Sequence, residues 1–178
     1  DNWTSIKPGL PNYSITDVTV SNSDADRVWV TLSGYAASHK VYESVNGGLN
    51  WVNITANGLP NLPVNCIVYQ AGTNDDLYVG TDVGVYYKNN TMTDWIPYMI
   101  GLPNVVVKEL EIHYGSGTIS AATYGRGIWE SPVNTISVDI YETSAEQFKI
   151  YPNPAQNKIT ISLNNYLGND LTARIYSI

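Results

Sequence analysis

The chain has 178 residues, of which 43% are hydrophobic, so it is long enough to bury a sizeable core. Its net charge of −7 leaves no basic stripe that could neutralise phosphates, which argues against nucleic acids and against docking on an anionic membrane surface. No apolar run reaches the length of a membrane-spanning helix, and membrane insertion is therefore not expected.

A Gly-Leu-Pro tripeptide recurs along the chain and sets its period. The three copies, each preceded by a tryptophan, are Trp3 with Gly9-Leu10-Pro11, Trp51 with Gly58-Leu59-Pro60, and Trp95 with Gly101-Leu102-Pro103. The tryptophans are 48 and 44 residues apart, which is the repeat length of one blade of a β-propeller. The repeat therefore favours a β-propeller.

Each repeat contains four predicted strands separated by polar or glycine-containing turns. The predicted first strands are 15–20, 64–69 and 106–112, and the second are 28–30, 77–79 and 119–121. The third are 41–44, 85–88 and 128–131, and the fourth are 51–54 and 95–98. Alternating strands without a helical period predict an all-β fold, a partial propeller of four-stranded blades. A β-sandwich is the alternative, but it does not require a whole-unit repeat.

The strand count predicts that the propeller is incomplete within this sequence. Residues 1–131 supply a leading fourth strand at Trp3, two complete repeats and three strands of another. A closed propeller needs at least four blades. We therefore expect residues 1–131 to be the C-terminal part of a larger propeller, with the missing blades upstream or in another chain. The opening Asp1-Asn2-Trp3, without a methionine or a signal peptide, agrees with that expectation.

The turn between the third and fourth strands of the first repeat carries the most specific motif of this region. Residues 44–51 read Ser-Val-Asn-Gly-Gly-Leu-Asn-Trp, with Ser44, Asn46, Gly48 and Trp51 at the key positions. This resembles the Asp-box of sialidase-type, sortilin-type and xyloglucanase-type propellers (the BNR repeat), with Asn46 in place of the usual aspartate. We expect the Asn46 side chain to cap the backbone two residues on, and Trp51 to pack between blades. The resemblance implies a structural motif on the outer rim, away from any active site.

A change of composition after Trp129 predicts a second domain. Residues 132–147 read as a linker with a strand at 136–140, and 148–178 contain Tyr151-Pro152-Asn153-Pro154 followed by alternating strands at 158–163 and 173–176. This resembles the type A C-terminal sorting domain of the type IX secretion system, found in the Bacteroidetes, and implies an Ig-like sandwich that is incomplete in this sequence. An ordinary accessory sandwich domain is the alternative.

The sorting-domain resemblance implies export across the outer membrane and a secreted or cell-surface protein. The partners that it implies are the type IX translocon and its shuttle protein. For the propeller, one hypothesis is a non-catalytic binding or adhesion module with a glycan or another surface ligand as partner. The other is a sialidase-like or xyloglucanase-like glycoside hydrolase whose catalytic residues lie upstream.

Catalytic residues are not predicted within this sequence, and neither is a cofactor. Asp17 aligns by repeat with Cys66 and Glu109, so the acidic position is not kept in all three repeats. Asp82 and Arg126 lie in bends that turn chemistry explains. A glycosidase would need paired carboxylates, or a tyrosine nucleophile with an arginine cluster. Whether the whole protein is an enzyme stays open at this point.

Two further candidate sites have ordinary structural explanations. The single cysteine, Cys66, lies in an apolar run and is predicted to be a core residue without a catalytic base. Acidic residues cluster in the polar turns, where a calcium site is conceivable but lacks any fixed ligand spacing: Asp24, Asp26, Asp75 and Asp76. No metal is therefore predicted.

Overall fold

The computed structural model describes residues 2–134, 149–151 and 160–162. The chain divides into two compact units, residues 1–136 and 137–178. Within the described residues every regular element is a β-strand. The all-β fold predicted from the repeat is confirmed.

The first unit contains three antiparallel sheets in which each strand pairs with its neighbours in the sequence. The first sheet is β1 (Ile15–Val20), β2 (Val28–Leu32), β3 (Val41–Ser44) and β4 (Val52–Asn53). The second is β5 (Val64–Gln70), β6 (Asp76–Thr81), β7 (Gly84–Lys88) and β8 (Ile96–Pro97). The third is β9 (Val107–His113), β10 (Thr118–Thr123) and β11 (Gly127–Pro132). This meander is the architecture of a propeller blade, present twice complete and once with three strands.

The three sheets pack face to face in chain order, with β5 against β1 on one side and β9 on the other. The middle sheet is consequently covered on both faces. Tyr78 and Val79 are neighbours in β6 and point to opposite faces, yet both have 0% exposure. The first and third sheets each have an open face, on which Val18 of β1 is 55% exposed and Ile128 of β11 is 77% exposed.

A β-bulge recurs near the start of the first strand in each of the three sheets. The pairing shifts between Ile15 and Asp17 in β1 and between Val64 and Cys66 in β5. In the third sheet the same shift falls opposite Ala122 and Thr123, which pair with Glu109 and Val107. A bulge inserts one extra residue and re-aims the strand. Asp17, Cys66 and Glu109 therefore occupy equivalent positions, each directly after a bulge.

The predicted leading strand at Trp3 is wrong. Residues 2–14 form no strand, and Trp3 is 99% exposed. The fourth strands β4 and β8 are only two residues long, and each pairs with the third strand of its sheet, β3 or β7. Such short strands depend on a partner strand. The described residues place no third strand beside Trp3, so its backbone has nothing with which to pair.

The last blade extends slightly beyond the predicted start of the linker. Strand β11 includes Pro132, and Val133 is buried with its N–H donating to the Gly117 carbonyl at 3.0 Å. The Asn134 N–H donates to the Tyr78 hydroxyl at 2.6 Å. The predicted strand at 136–140 lies outside the described residues.

The second unit is described only as a two-stranded antiparallel pair. Strand β12 (Lys149–Tyr151) pairs with β13 (Thr160–Ser162), with Ile150 opposite Ile161. Strand β13 lies within the predicted strand 158–163, whereas β12 was not predicted as a strand. The predicted strand at 173–176 lies outside the described residues.

Candidate functional site

The antiparallel order gives the sheets two ends with different turns. The first strands begin at the same end, because Thr16 Oγ1 donates to the Val64 carbonyl at 2.6 Å and Asn65 Nδ2 donates to the Val107 carbonyl at 3.1 Å. We call this the first-strand end; it carries the Gly-Leu-Pro connections and the turns 33–40, 82–83 and 124–126. The opposite end, which we call the Asp-box end, carries the turns 45–51 and 89–95.

The Asp-box-like turn is held by two side chains. Ser44 Oγ accepts from the Gly48 N–H at 2.8 Å and donates to Asn46 Oδ1 at 3.0 Å. Asn46 Oδ1 also accepts from the Asn50 N–H at 2.9 Å. The Asn46 side chain thus caps the backbone four residues on, not two as expected, and the bond two residues on is the one from the Asn46 N–H to Ser44 Oγ. An amide oxygen is sufficient for this acceptor role.

Trp51 joins this turn to the segment before the first sheet. Its Nε1 donates to the Ile6 carbonyl at 2.9 Å, and its ring packs with Leu10 and Tyr13 against the first sheet. Gly48 has φ +87°, and a Cβ there would lie 2.8 Å from the Ile6 side chain. A side chain at this position would push Ile6 away.

The second copy of the turn keeps the shape with different donors. Asn89 Oδ1 accepts from the Thr91 N–H at 3.0 Å, and Lys88 Nζ donates to the Met92 carbonyl. Trp95 is 2% exposed and its Nε1 donates to the Ile54 carbonyl at 3.0 Å. Trp51 and Trp95 therefore make the same bond, each to a carbonyl three residues after the preceding repeat's tryptophan.

The acidic side chains at the first-strand end are engaged in structural bonds. Asp17 Oδ2 accepts from the Ile67 N–H of the next sheet at 2.9 Å, and its Oδ1 accepts from the Val18 N–H at 2.8 Å. Asp82 Oδ1 accepts from Asn65 Nδ2 at 3.0 Å. Two carboxylates facing one cleft are the requirement for glycoside hydrolysis. The Asp17 and Asp82 carboxylates instead connect or brace neighbouring strands.

Cys66 is 1% exposed, and burial raises the pKa of its thiol to about 12. A thiol that stays protonated is a poor nucleophile and a poor metal ligand. Cys66 packs against the backbone of Gly80, where a Cβ would lie 2.5 Å from its sulfur. These contacts define a small core residue.

Exposed aromatic rings mark the turns of the first-strand end. Tyr35 in the turn 33–40 is 71% exposed, and Tyr124 in the turn 124–126 is 74% exposed. In the same turn as Tyr35, His39 stacks on Tyr42 of β3 with ring centroids 6.2 Å apart, and His39 Nδ1 lies 2.6 Å from the Tyr42 hydroxyl. Tyrosine presents an apolar face together with a hydroxyl, a combination suited to wet, polar ligands.

The polar turns of the Asp-box end carry charge pairs. Arg27 binds Glu43 and Asp75, the latter at 3.0 Å, and Asp24 Oδ1 accepts from the Asp26 N–H at 3.0 Å. Among the described residues, no group of three or more His, Cys, Asp or Glu side chains could hold a metal ion. Arg27 pairs with Asp75, and so neutralises a carboxylate that a calcium site at these turns would require as a ligand.

Sequence reasoning missed a buried lysine at the first-strand end. Lys40 is 1% exposed and its Nζ donates to the Gly34 carbonyl. Burial lowers its pKa, and the nearby Asp82 carboxylate opposes that shift. A lysine before a strand normally reads as a solvated turn residue, so no sequence signal distinguishes this one.

The sorting-motif residues fall at the edge of the described segments. Tyr151 is the last residue of β12 and pairs with Thr160 of β13. Pro152, Asn153 and Pro154 lie outside the described residues.

Residues 149–178 match the family described as secretion system C-terminal sorting domain. This assigns the chain to the proteins exported across the outer membrane, to the cell surface or the medium. The domain implies interaction with the type IX secretion system. No curated protein matches the chain.

Solved structures with a similar fold include two GH74 enzymes. An ancestral GH74 enzyme matches with a TM-score of 0.52 and 16% identity, over 70% of this chain and 20% of that one. The GH74 xyloglucanase from Xanthomonas campestris matches with a TM-score of 0.49 and 13% identity, over 64% of this chain and 20% of that one. The first match, together with the sheet topology, establishes propeller blades. This chain spans about a fifth of the length of these enzymes. No helix among the described residues is long and apolar enough to cross a membrane.

Proposed function

We propose that the exported propeller is a binding or adhesion module that recognises glycans through the turns of its first-strand end. The observation that carries the proposal is the pair of exposed rings, Tyr35 and Tyr124, on equivalent turns of the first and third sheets. Both turns connect a second to a third strand, so they open at the same end. An exposed tyrosine face can stack on the apolar face of a sugar ring while its hydroxyl hydrogen-bonds.

The Asp17 and Asp82 carboxylates already accept hydrogen bonds from the protein, and this supports binding over hydrolysis for these blades. Asp17 uses both carboxylate oxygens on backbone N–H groups, and Asp82 accepts from Asn65. A general acid or nucleophile must reach the substrate instead. The match to GH74 enzymes is a match of fold, which hosts many functions.

We further propose that different segments of the chain bind the ligand and direct export. The propeller blades, predicted as residues 1–131, extend to Val133. The linker predicted at 132–147 follows them, and residues 148–178 are the start of the sorting domain. In that domain Tyr151-Pro152-Asn153-Pro154 is the motif that addresses the translocon and its shuttle protein. Ser44, Asn46, Gly48 and Trp51 act as an Asp-box that braces the blade. Ligand binding and export thereby use separate segments.

A glycan array tests the binding proposal. We expect the protein to bind a subset of glycans, and Tyr35→Ala and Tyr124→Ala to weaken that binding by about tenfold or more. Leu49→Ala is the matched control, since Leu49 is 75% exposed but lies at the Asp-box end.

Two results would refute the proposal. One is the absence of binding to any glycan by the folded protein. The other is release of reducing sugars from a polysaccharide such as xyloglucan, which would favour a hydrolase.

A further inference from the structure

The turn that carries Tyr35 is much longer than its equivalents in the other two sheets. Turn 33–40 joins the second strand to the third with eight residues, whereas turns 82–83 and 124–126 make the same connection with two and three. Two residues are therefore enough to connect these strands, and the additional length of turn 33–40 is not needed for the fold. Loops that rigid strands position are common carriers of binding residues.

A buried lysine closes the base of this turn. Lys40 is 1% exposed, and its Nζ donates to the carbonyl of Gly34, the residue directly before Tyr35. The Lys40 backbone is held as well, because its carbonyl accepts from the Leu32 N–H at 2.8 Å and its N–H donates to Thr55 Oγ1 at 2.9 Å. A lysine is almost never fully buried unless its ammonium is paired. The ammonium of Lys40 thus fixes the backbone next to Tyr35.

The second sheet supplies a carboxylate near this ammonium. Burial lowers the pKa of Lys40, and the Asp82 carboxylate opposes that shift by favouring the charged form. Asp82 is itself held in place, since its Oδ1 accepts from Asn65 Nδ2 at 3.0 Å. The second sheet therefore helps to keep the Lys40 charge where it binds the turn of the first sheet.

The other limb of the turn contains a strained residue that a side chain of β4 holds. Ser38 has φ +72°, a left-handed conformation that is uncommon for a residue with a side chain. Asn53 Nδ2 donates to the Ser38 carbonyl and, at 3.3 Å, to the Tyr42 hydroxyl. Such strain persists only where the surrounding contacts impose it, and it is concentrated at functional sites.

Aromatic rings fill the inner side of the turn and leave Tyr35 on the outside. Gly34 has φ +101°, and a Cβ there would lie 3.6 Å from the Tyr13 ring. The Tyr13 and His39 rings are 5.9 Å apart, and His39 in turn lies 2.6 Å from the Tyr42 hydroxyl. Tyr35 remains 71% exposed. The turn is thus packed within and presents one ring outward.

We propose that Lys40 and Asn53 are positioning residues that hold turn 33–40 in one conformation, so that Tyr35 is presented to a glycan before the glycan binds. This inference rests on the proposed function and adds to it the residues that prepare the site. Ordering a loop during binding costs conformational entropy, and a loop that is already ordered avoids that cost. Lys40 acts through the Gly34 carbonyl, and Asn53 acts through the Ser38 carbonyl.

The chain offers a matched control at the opposite end of the second sheet. Lys88 Nζ donates to the Met92 carbonyl and closes turn 89–95 in the way that Lys40 closes turn 33–40. This turn belongs to the Asp-box end. Loss of the Lys88 ammonium should therefore leave Tyr35 and the glycan site unchanged.

Limited proteolysis with chymotrypsin, which cleaves after aromatic residues, tests whether the turn is held. Lys40→Met keeps a long side chain but removes the ammonium donor. Asn53→Asp keeps Oδ1, which accepts from the Thr55 N–H, and removes the donor to Ser38. We expect both variants to be cut after Tyr35 about three- to tenfold faster, the effect of one lost hydrogen bond on local opening.

Cleavage after Tyr124 is the internal reference for this experiment. Tyr124 is 74% exposed on an equivalent turn that contacts neither Lys40 nor Asn53, so its rate of cleavage should not change. Lys88→Met should change neither rate. An Asn53→Asp chain also keeps the test decisive if Lys40→Met fails to fold, because Asn53 lies on the exposed strand β4.

Binding to the glycan array shows whether the positioning acts through Tyr35. We expect Lys40→Met and Asn53→Asp each to weaken binding by about three- to tenfold in the natural chain. In a Tyr35→Ala chain neither substitution should weaken binding further, because the ring that they position is gone. Lys88→Met should leave binding unchanged in both chains.

Three results would overturn the inference. Unchanged cleavage after Tyr35 in both variants would show that these side chains do not hold the turn. Equal weakening by Lys40→Met in the natural and Tyr35→Ala chains would show that its effect does not pass through Tyr35. If the folded natural protein binds no glycan, the proposed function fails, and the positioning role fails with it; the other two results leave the proposed function standing.

Discussion

The indole Nε1 of Trp95 donates to the backbone carbonyl of Ile54 at 3.0 Å, and so joins the second sheet to the chain segment that follows the first. Trp95 is 2% exposed, so its indole N–H is removed from water and depends on this acceptor. The bond recurs between Trp51 and Ile6 at 2.9 Å. This repeated contact ties each of the first two sheets to the chain segment that precedes its first strand.

Replacing Trp95 by phenylalanine tests this bond. A smaller phenyl ring replaces the indole, and the Ile54 carbonyl loses its donor at a partly buried site. We expect a loss of about 1–3 kcal/mol in the free energy of unfolding, with some contribution from the lost ring volume. Urea denaturation followed by circular dichroism in dilute protein measures it. Trp129→Phe is the control, because Trp129 is 39% exposed and bonds only to nearby Arg126. Equal losses in the two variants would contradict the account.

Gly58→Ala tests how closely the Gly-Leu-Pro turn approaches the next blade. Gly58 has φ +90°, and a Cβ there would lie 1.9 Å from the Trp95 carbonyl oxygen. Backbone cannot move aside cheaply, so we expect thermal unfolding at a clearly lower temperature. Gly101 has a similar φ of +83° and nothing within 4 Å, so Gly101→Ala should show only the cost of the left-handed backbone, about 1 kcal/mol. A smaller loss for Gly58→Ala than for Gly101→Ala would refute this reading.

Asp17→Ala distinguishes a structural from a catalytic acid. It removes the acceptor for the Ile67 N–H and the Val18 N–H, and we expect a loss of about 1–3 kcal/mol in unfolding free energy. Glu111→Ala, on the exposed side of β9, should change stability by less than about 0.5 kcal/mol. Chemical denaturation compares the two. An unchanged stability for Asp17→Ala would argue that this carboxylate is held for another purpose.

Asp76 predicts a pH dependence of stability. The side chain is 0% exposed, and burial raises the pKa of its carboxyl, opposed by Tyr87 and Asn89 beside it. The folded state therefore holds the proton more tightly than the unfolded state, and the stability this gives is present at low pH and lost as the pH rises through the folded-state pKa. Asp76→Asn should gain stability relative to the natural chain between about pH 4 and pH 7. Denaturation at several pH values measures this stability difference, with Glu111→Gln as the control for net charge. If the advantage of Asp76→Asn over the natural chain grew as the pH fell, the raised pKa of Asp76 would be contradicted.

The sequence predicted most of the blades because their signal is local. Alternation and turn residues predicted β1 and β3 with the bounds that the structure shows. The Trp3 strand failed because a two-residue fourth strand depends on a partner strand, which alternation cannot reveal. The role of Asp17 was also beyond prediction, since its partner Ile67 is 50 residues away and in another sheet. The burial of Lys40 likewise follows from tertiary packing and has no local signal.

Export is tested most directly by fractionating cells that produce the native protein with and without residues 149–178. The sorting domain predicts that the intact protein reaches the cell surface or the medium, and that the shortened protein accumulates in the periplasm. Immunoblots of the periplasm, outer membrane and medium measure the distribution, with a Glu111→Ala protein as the control for expression. Equal export of the intact and shortened proteins would contradict the account.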